Sequence, residues 1–277
     1  MPDPRGNTAA NAEHPAAPGD GSSAYRYAAQ RQEAILRALR TQGEVSAAAL
    51  TEELEVTAET IRKDLIALER QGLLRRVHGG ALPVDRLSFE PEVSARVEYA
   101  QEKQRIARAA LDHLPAAGSV LLDAGSTVGK LAEMFPGDRP LTVFTNTLPA
   151  ALALVTRPNL TVYALGGRLR GRTLATVEGW ATQALAEVNV DVAFLGTNAI
   201  SVERGLTTPD PAEAAVKRLM LGCARQRILL ADSSKAGRIS LCQHASLSDI
   251  DILITDTGLS AADAAAIRAA GPLVEQA

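Results

Sequence analysis

The chain has 277 residues, enough for two domains, and 46% of them are hydrophobic, so a sizeable core can be buried. Its formal net charge of −3 argues against a uniformly basic surface but leaves room for a local basic patch. It contains neither a signal-peptide pattern nor a run long and apolar enough to span a bilayer, so we expect a cytoplasmic protein without a membrane partner.

The first segment, residues 1–24, is rich in Ala, Pro, Gly, Asn, Asp and Ser and contains neither a branched aliphatic nor an aromatic residue. Such a segment cannot bury enough apolar surface to offset the entropy that it loses on ordering. We therefore predict a disordered N-terminal tail.

Residues 25–82 are predicted to form three short helices followed by a β-ribbon. Apolar residues recur at helical spacing in each helix, and Ser46 and Thr57 stand where the second and third helices would begin. Residues 73–82 have the pattern of a small ribbon with its bend at Gly79-Gly80. Three helices and a ribbon in so short a segment are typical of a winged helix-turn-helix domain.

The third predicted helix has an apolar face and a basic face. At about 100° per residue, Ile61, Leu65 and Leu68 fall on one side, and Arg62 and Lys63 point away from it. From Thr60 to Gly80, five basic side chains stand against two acidic ones, a local charge of +3. A basic surface beside a helix N-terminus suits DNA, although each such side chain alone would more often meet only water. The predicted DNA-binding residues are Thr57, Thr60, Arg62, Lys63, Arg75, Arg76 and His78.

Beyond a predicted linker at residues 83–93, the pattern changes to alternating helices and strands over residues 94–277. A long helix is predicted at about 94–114. The apolar strand runs are 119–125, 141–146, 160–167, 190–197, 226–232 and 251–258, and helical stretches lie around 128–135, 148–156, 179–187, 210–224 and 260–270. Continuous apolar strands separated by helices predict an α/β domain with a mostly parallel sheet that is covered on both faces.

Small polar residues follow several of these strands. In open α/β sheets, ligands bind at the carboxyl ends of the strands, where glycines admit a ligand and helix N-termini attract anions. Each loop could also be only a turn with a helix cap, but several on one sheet edge favour a binding site. The candidate ligand-binding residues are Asp123, Gly125, Ser126, Thr127, Thr145, Asn146, Gly166, Gly167, Arg168, Lys217, Asp232 and Lys235.

The sequence of this domain does not match either of two common cofactor-binding motifs. The run GSTVGKL at 125–131 resembles a Walker A loop, but its glycines are one residue too close and no Ser or Thr follows Lys130. No G-x-G-x-x-G follows the first strand. The two cysteines, Cys223 and Cys242, lie outside any Cys/His cluster, so we expect reduced thiols, no metal site and no cofactor.

The run VTAETIRKDLIALERQGLLRRVHGGA at 56–81 resembles the DeoR-type transcriptional regulators. It contains their T-I-R-[RK]-D-L, L-E-x-x-G-L-L and R-V-H-G-G-A segments at the family's spacing. The resemblance implies a recognition helix over 57–70 and a wing from Arg75 to Gly80. Lys63 stands where the family often has Arg, and because Lys lacks bidentate readout we expect it to contact a phosphate.

The resemblance continues through D-x-G-S-T, T-N-[ST], G-G-x-x-R/G, D-x-A-F-L-G and D-S-S-K, so it covers about residues 25–258. In these regulators such a domain has a fold similar to sugar-phosphate isomerases and binds a phosphorylated sugar or related effector. The resemblance thus implies a repressor of a carbohydrate-metabolism operon. We expect a homodimer or homotetramer on a double-stranded DNA operator with two half-sites.

Two other functions remain open at this point. The first is a sugar-phosphate isomerase with an accessory DNA-binding domain, for which Asp123, Glu178, Asp191 and Asp210 are candidate bases by position only. No paired-carboxylate motif supports it, so we expect no catalytic residue. The second is a DNA-binding scaffold whose α/β domain only oligomerises.

Overall fold

The computed structural model describes residues 28–71, 73–83, 87–88, 90 and 92–277. The predicted tail at 1–24 lies outside these residues. Within the described ranges, no helix combines the length and the apolar character that crossing a lipid bilayer requires.

The N-terminal domain is the predicted winged helix-turn-helix. Its elements are α1 (Ala28–Gln42), β1 (Val45–Ser46), α2 (Ala47–Glu53), α3 (Ala58–Arg70), β2 (Arg75–Val77) and β3 (Gly80–Leu82). The strands pair antiparallel in the order β1-β3-β2. The turn between α2 and α3 contains Glu55, whose φ of 52° is a left-handed conformation uncommon outside glycine.

The apolar face of α3 closes the core of this domain. Ile61, Leu65 and Leu68 are buried against the other helices, as predicted from their spacing. Asp64 lies on the same inward side, where its carboxylate accepts a hydrogen bond of 2.8 Å from Arg31 Nε on α1. This buried contact joins α1 to α3.

The bend of the ribbon lies one residue earlier than predicted. His78 and Gly79 form the turn, and Gly79 has a φ of +79°. Gly80 is already the first residue of β3, where a Cβ atom would lie 2.0 Å from Val45 O. The prediction of a Gly79-Gly80 bend was therefore wrong, because the second glycine serves strand packing and not the turn.

The C-terminal domain is the predicted α/β domain. Its helices are α4 (Ala100–Ala110), α5 (Ser126–Met134), α6 (Leu148–Leu154), α7 (Gly179–Ala186), α8 (Pro211–Gly222) and α9 (Ala261–Ala269). Its strands are β4 (Gly118–Leu122), β5 (Leu141–Thr145), β6 (Leu160–Ala164), β7 (Arg168–Arg170), β8 (Ala175–Val177), β9 (Val190–Leu195), β10 (Ala199–Ser201), β11 (Gly205–Thr208), β12 (Ala224–Leu230), β13 (Cys242–Ala245), β14 (Ile252–Thr255) and β15 (Leu273–Gln276).

Seven of these strands form one parallel sheet in the order β15-β14-β12-β9-β4-β5-β6. Apolar clusters cover both of its faces, with Leu121 and Leu229 on one side and Leu122 and Ile228 on the other. The chain runs outward from β4 to β6 and then returns to place β9 on the opposite side of β4. The carboxyl ends of β4 and β9 therefore flank a topological switch point, where open sheets form their ligand crevice.

Three features differ from the prediction. The helix expected at 94–114 is interrupted: a 3-10 turn spans Val93–Ala95, and α4 begins only at Ala100 because Tyr99 has a φ of 56°. The β7–β8 hairpin and the small β10-β11-β13 sheet were not predicted, since their strands are short. β15 extends the main sheet after α9.

Candidate DNA-binding and effector-binding sites

The N-terminus of α3 is exposed and capped as predicted. Thr57 Oγ1 accepts a hydrogen bond of 3.2 Å from Thr60 N, and the two threonine hydroxyls lie 2.8 Å apart. Ser46 precedes α2 but makes no capping hydrogen bond with its side chain. The first turn of α3 thus presents hydroxyl and N–H groups to solvent, an arrangement that attracts phosphate.

Arg62 lies on this surface but is held by a neighbour on the same helix. Its Nε and Nη2 atoms each donate a hydrogen bond of 2.7 Å to the Glu59 carboxylate, and both side chains are more than half exposed. Such exposed pairs contribute little to stability, so exchanging Glu59 for a phosphate costs little. The sequence alone did not indicate that Glu59 places a carboxylate within this basic surface.

The remaining basic residues of the predicted DNA surface are exposed. Arg76 stays close to Glu69, with its backbone N–H donating to Glu69 Oε1 at 2.8 Å. Lys63 and Arg75 form no ion pair with any described side chain, and His78 stands at the tip of the ribbon. Lys63 and Arg75 are therefore available to counter a charge from outside the domain.

An open cavity of about 900 Å³ lies at the switch point of the main sheet. The predicted residues that line it are Gly125, Ser126, Thr127, Lys217, Asp232 and Lys235. Residues 41–44 of the N-terminal domain, together with Ser46 and Ala49, also border it. The cavity thus combines groups from the ends of β4, β9 and β12 with groups from the other domain.

Lys217 of α8 and Asp123 at the end of β4 form a buried ion pair beneath the cavity. Their side chains are 5% and 1% exposed, and Lys217 Nζ donates to Asp123 Oδ2. Gly196, after β9, completes the group: its N–H donates to Asp123 Oδ2 at 2.9 Å, and its carbonyl accepts from Lys217 Nζ at 2.9 Å. The charge of Lys217 is therefore already compensated within the protein.

The N-terminus of α5 opens into the same cavity. Gly125 precedes the helix with a φ of 142° and gives it no side-chain cap. The first intrahelical bond of the helix is donated by Gly129 N to Gly125 O, so the N–H groups of Ser126, Thr127 and Val128 lack helical partners. Free N–H groups and two hydroxyls form a neutral site that suits a phosphate.

Two further lysines, Lys235 and Lys103, line the same cavity. Lys235 follows β12 and makes no side-chain hydrogen bond or ion pair with the residues that the structure describes, and burial lowers its pKa although Asp232 opposes the shift. Lys103 of α4, which the sequence did not suggest, donates to the carbonyl oxygens of Arg96 and Glu98. Burial also lowers the pKa of Lys103.

Six predicted ligand residues do not line the cavity, and one of them is Asp123, which lies beneath it. Thr145 and Asn146 are buried and support the β7–β8 hairpin, where Asn146 Nδ2 donates to Thr176 O at 3.3 Å. Gly167 lies so close to Val177 O that a side chain would not fit there, and Arg168 pairs with Glu178 at the surface. The predicted residues outside the cavity lining are Asp123, Thr145, Asn146, Gly166, Gly167 and Arg168.

The structure also reveals a linker cluster, formed by Glu90, Arg96, Arg170, Asn198 and Glu213. Glu90 belongs to the segment between the domains, yet it is only 2% exposed. Its carboxylate contacts Arg96 Nη2 at 2.8 Å, Arg170 Nη1 at 3.0 Å and Asn198 Nδ2 at 3.2 Å. All members except Arg170 line the cavity. Sequence reading could not find a cluster whose members are so far apart in the chain.

Over the described ranges, no three His, Cys, Asp or Glu side chains are grouped as metal ligands. Cys223 is buried and Cys242 is partly exposed, and both are free thiols.

Two family models match the chain. The DeoR-like helix-turn-helix domain covers residues 31–86, and the DeoR C terminal sensor domain covers residues 98–257. The chain is 39% identical over 247 residues to the HTH-type transcriptional regulator GlpR of Haloferax volcanii, covering 89% of this chain and 96% of the relative. It is 33% identical over 230 residues to the transcriptional repressor AccR of Agrobacterium fabrum, covering 82% and 89%.

Among solved structures, the ribose 5-phosphate isomerase A of Methanocaldococcus jannaschii aligns with a TM-score of 0.36 and 15% identity. That alignment covers 48% of this chain and 53% of the isomerase. The family models and the relatives agree over both domains. The chain belongs to the DeoR family of transcriptional regulators.

Proposed function

We propose that this regulator represses a carbohydrate-metabolism operon and that a phosphorylated sugar or related metabolite controls its affinity for a double-stranded DNA operator. The observation that carries the proposal is the cavity at the switch point, which is lined both by the open N-terminus of α5 and by Lys235. The name of the relative AccR, a transcriptional repressor, supports the direction of control.

The polar groups of the cavity favour a phosphate over a neutral ligand. The first turn of α5 offers three N–H groups, and charge-assisted hydrogen bonds from such groups and from a lysine are the usual means of holding a phosphate. Lys217 contributes less than the sequence suggested because Asp123 neutralises it. Lys235 and Lys103 are the cations that we assign to effector binding.

The position of the cavity supports coupling between effector and DNA. Its walls include residues of the winged helix-turn-helix domain and Glu90 of the segment between the domains. A ligand that moves either group also moves α3 relative to the DNA. The affinities for effector and operator are then coupled reciprocally, typically by about 1–3 kcal/mol. We expect a homodimer or homotetramer that places recognition helices in two half-sites.

The DNA assignment is tested by fluorescence anisotropy of the full chain on the DNA upstream of its own gene. Arg75→Ala and Lys63→Ala should each weaken binding, and each should reduce the slope of log affinity against log salt by about 1, since each removes one phosphate contact. Arg225→Ala is the matched control, because Arg225 is 83% exposed in the other domain. Unchanged operator affinity in both variants would show that the surface formed by α3 and β2 does not bind DNA.

The effector assignment uses the same complex titrated with a panel of phosphorylated sugars. One of them should shift operator affinity, and Lys235→Met should blunt that shift without weakening DNA binding. Lys130→Met provides the control, since Lys130 pairs with Glu133 on the exposed side of α5. Tight DNA binding with no response to any sugar phosphate would favour the scaffold function, in which the α/β domain only oligomerises.

The isomerase alternative finds little support in the contacts of its candidate bases. Asp123 is paired with Lys217, and Glu178 is paired with Arg168 at the surface. Asp191 lies at the amino edge of the sheet, where hydrogen bonds from Ser119 lower its pKa. Asp210 caps α8. Turnover of pentose or hexosamine phosphates by the purified protein would instead support the isomerase function.

A further inference from the structure

The outer strand of the main sheet, β6, has one edge that no described strand covers. β6 pairs with β5 alone, and just beyond its end Leu165 N donates a hydrogen bond of 2.8 Å to Thr145 O of β5. Since the backbone groups of successive residues alternate in direction along a strand, Val162 and Ala164 direct their N–H and C=O groups away from β5. These four groups make no hydrogen bond with any residue that the structure describes. The edge therefore offers two donors and two acceptors to another strand.

This edge lacks the features that normally prevent edge-to-edge pairing, which are charges, prolines and bulges. Neither β6 nor the neighbouring helix α6 contains a charged residue, and β6 pairs with β5 without a register shift. The other edge of the same sheet, β15, differs because it carries Glu275, whose carboxylate lies 2.9 Å from His113 Nε2. Of the two edges of the sheet, β6 is thus the one that is open to pairing.

Exposed apolar side chains lie beside this edge. Leu148, Leu152 and Val155 recur at helical spacing along α6 and its C-cap, and Leu152 and Val155 are 72% and 60% exposed. Tyr163 of β6 is 52% exposed, and its ring stacks on Phe144 with the ring centroids 4.9 Å apart. We call β6 together with this side of α6 the edge surface. A group of exposed apolar side chains on a regulator of this kind indicates an interaction site.

The extent of the surface suits a stable dimer. Within residues 148–172, which contain α6, β6 and β7, only Ala150, Leu154 and Leu165 are buried. One partner contributes roughly 20–30 residues to a standard protein–protein interface. This one segment can therefore supply most of the residues that such an interface needs.

A second copy of the chain satisfies the unpaired backbone groups completely. A two-fold axis at Tyr163 places Val162 of one copy opposite Ala164 of the other, so the four free groups of each copy form four hydrogen bonds with those of its partner. Tyr163 then faces its own copy in the closer, non-hydrogen-bonded type of antiparallel pair, where aromatic side chains stabilise a sheet. The same axis places both α6 helices on one face of the joined sheet.

We propose that the edge surface is the dimer interface of this protein, in which the β6 strands of two copies pair antiparallel about Tyr163 and join their main sheets. The inference rests on the proposed function only in the expectation that copies of the chain associate. The effector cavity is lined by groups at the ends of β4, β9 and β12 and by none of residues 148–172. Pairing through β6 therefore leaves that cavity open to its ligand.

Sedimentation equilibrium of the full chain tests the surface. Leu152→Arg introduces a charge into the edge surface and should halve the mass of the assembly, whether the unmodified protein is a dimer or a tetramer. Leu273→Arg is the matched control, because Leu273 is 71% exposed on the opposite edge strand β15, and it should leave the mass unchanged. Both side chains are exposed, so far-UV circular dichroism should show both variants folded. Equal masses for the two variants would overturn the inference.

Disulfide trapping tests the register. Tyr163→Cys places two thiols opposite each other at the axis, where Cβ atoms are about 4.5–5.5 Å apart, and mild oxidation should link the two chains. Thr161→Cys is the control, because its two copies would lie four residues apart along the strands, about 13 Å, beyond the reach of a disulfide. Both variants carry Cys242→Ser, since that native thiol is partly exposed. Linked chains in both variants, or in neither, would overturn the proposed pairing.

The mass of the unmodified protein separates this inference from the rest of the proposed function. A mass of one chain would overturn the inference, whatever the protein does with DNA and effector. A dimer that binds neither operator DNA nor any sugar phosphate would instead contradict the proposed function and leave the interface to be judged by the variants.

Discussion

Replacing Lys217 with Met tests the role of the buried ion pair. The change leaves the Asp123 carboxylate, 1% exposed, without its cation. Breaking a buried pair costs about 3–5 kcal/mol, and Asp123 keeps one hydrogen bond from Gly196 N, which favours the lower end of that range. For a domain of this size, about 3 kcal/mol corresponds to a Tm lower by roughly 6–12 °C.

Thermal unfolding followed by far-UV circular dichroism measures this shift. Fluorescence is a poor reporter, because the single tryptophan, Trp180, is already 76% exposed in the folded protein. The control is Lys130→Met, the same substitution at an exposed site, which should change stability by no more than about 0.5 kcal/mol.

The double variant Asp123→Asn/Lys217→Met separates lost charge from lost packing. The amide oxygen introduced at position 123 would still accept the hydrogen bond from Gly196 N, and neither member of the pair would remain charged. At least half of the stability lost in Lys217→Met should therefore return. A double variant as unstable as the single one, or a single variant with an unchanged Tm, would refute the buried-charge argument.

Three further outcomes are expected. Gly80→Ala should abolish operator binding and leave the α/β domain folded, since its Cβ would lie 2.0 Å from Val45 O; anisotropy and far-UV circular dichroism measure the two. Burial and the nearby charge of Lys217 hold the pKa of His244 well below 6.5, so only the unfolded state takes up its proton as pH falls. Lowering the pH from about 7 to about 5 should therefore lower the Tm of the protein more than it lowers the Tm of the His244→Gln variant, as measured by thermal unfolding. Glu90→Gln should lower the free energy of unfolding by about 3 kcal/mol in chemical denaturation.

The fold could be predicted where local patterns are strong. Helical spacing and the capping residue Thr57 predicted the bounds of α3 within about a residue, and apolar runs predicted the inner strands. Prediction failed where the backbone adopts an unusual conformation. Tyr99 interrupts the expected long helix just before α4 begins, because it has a positive φ that its residue type does not suggest. Strands β7 and β8 have three residues each, which is too short to show the alternation of a strand.

The candidate ligand-binding site was predicted less completely, because the sequence lists charges but does not show which of them are already paired. Lys217 and Asp123 are 94 residues apart in the chain, and only the parallel sheet brings them together. A lysine held in a buried ion pair has little attraction left for a ligand, whereas Lys235 forms no ion pair with a described side chain and lines the cavity. Lys235 and the uncapped N-terminus of α5 line the same cavity, and both suit the phosphate of a ligand. The unsatisfied groups, and not the number of charged residues, therefore define the ligand that this cavity is built to bind.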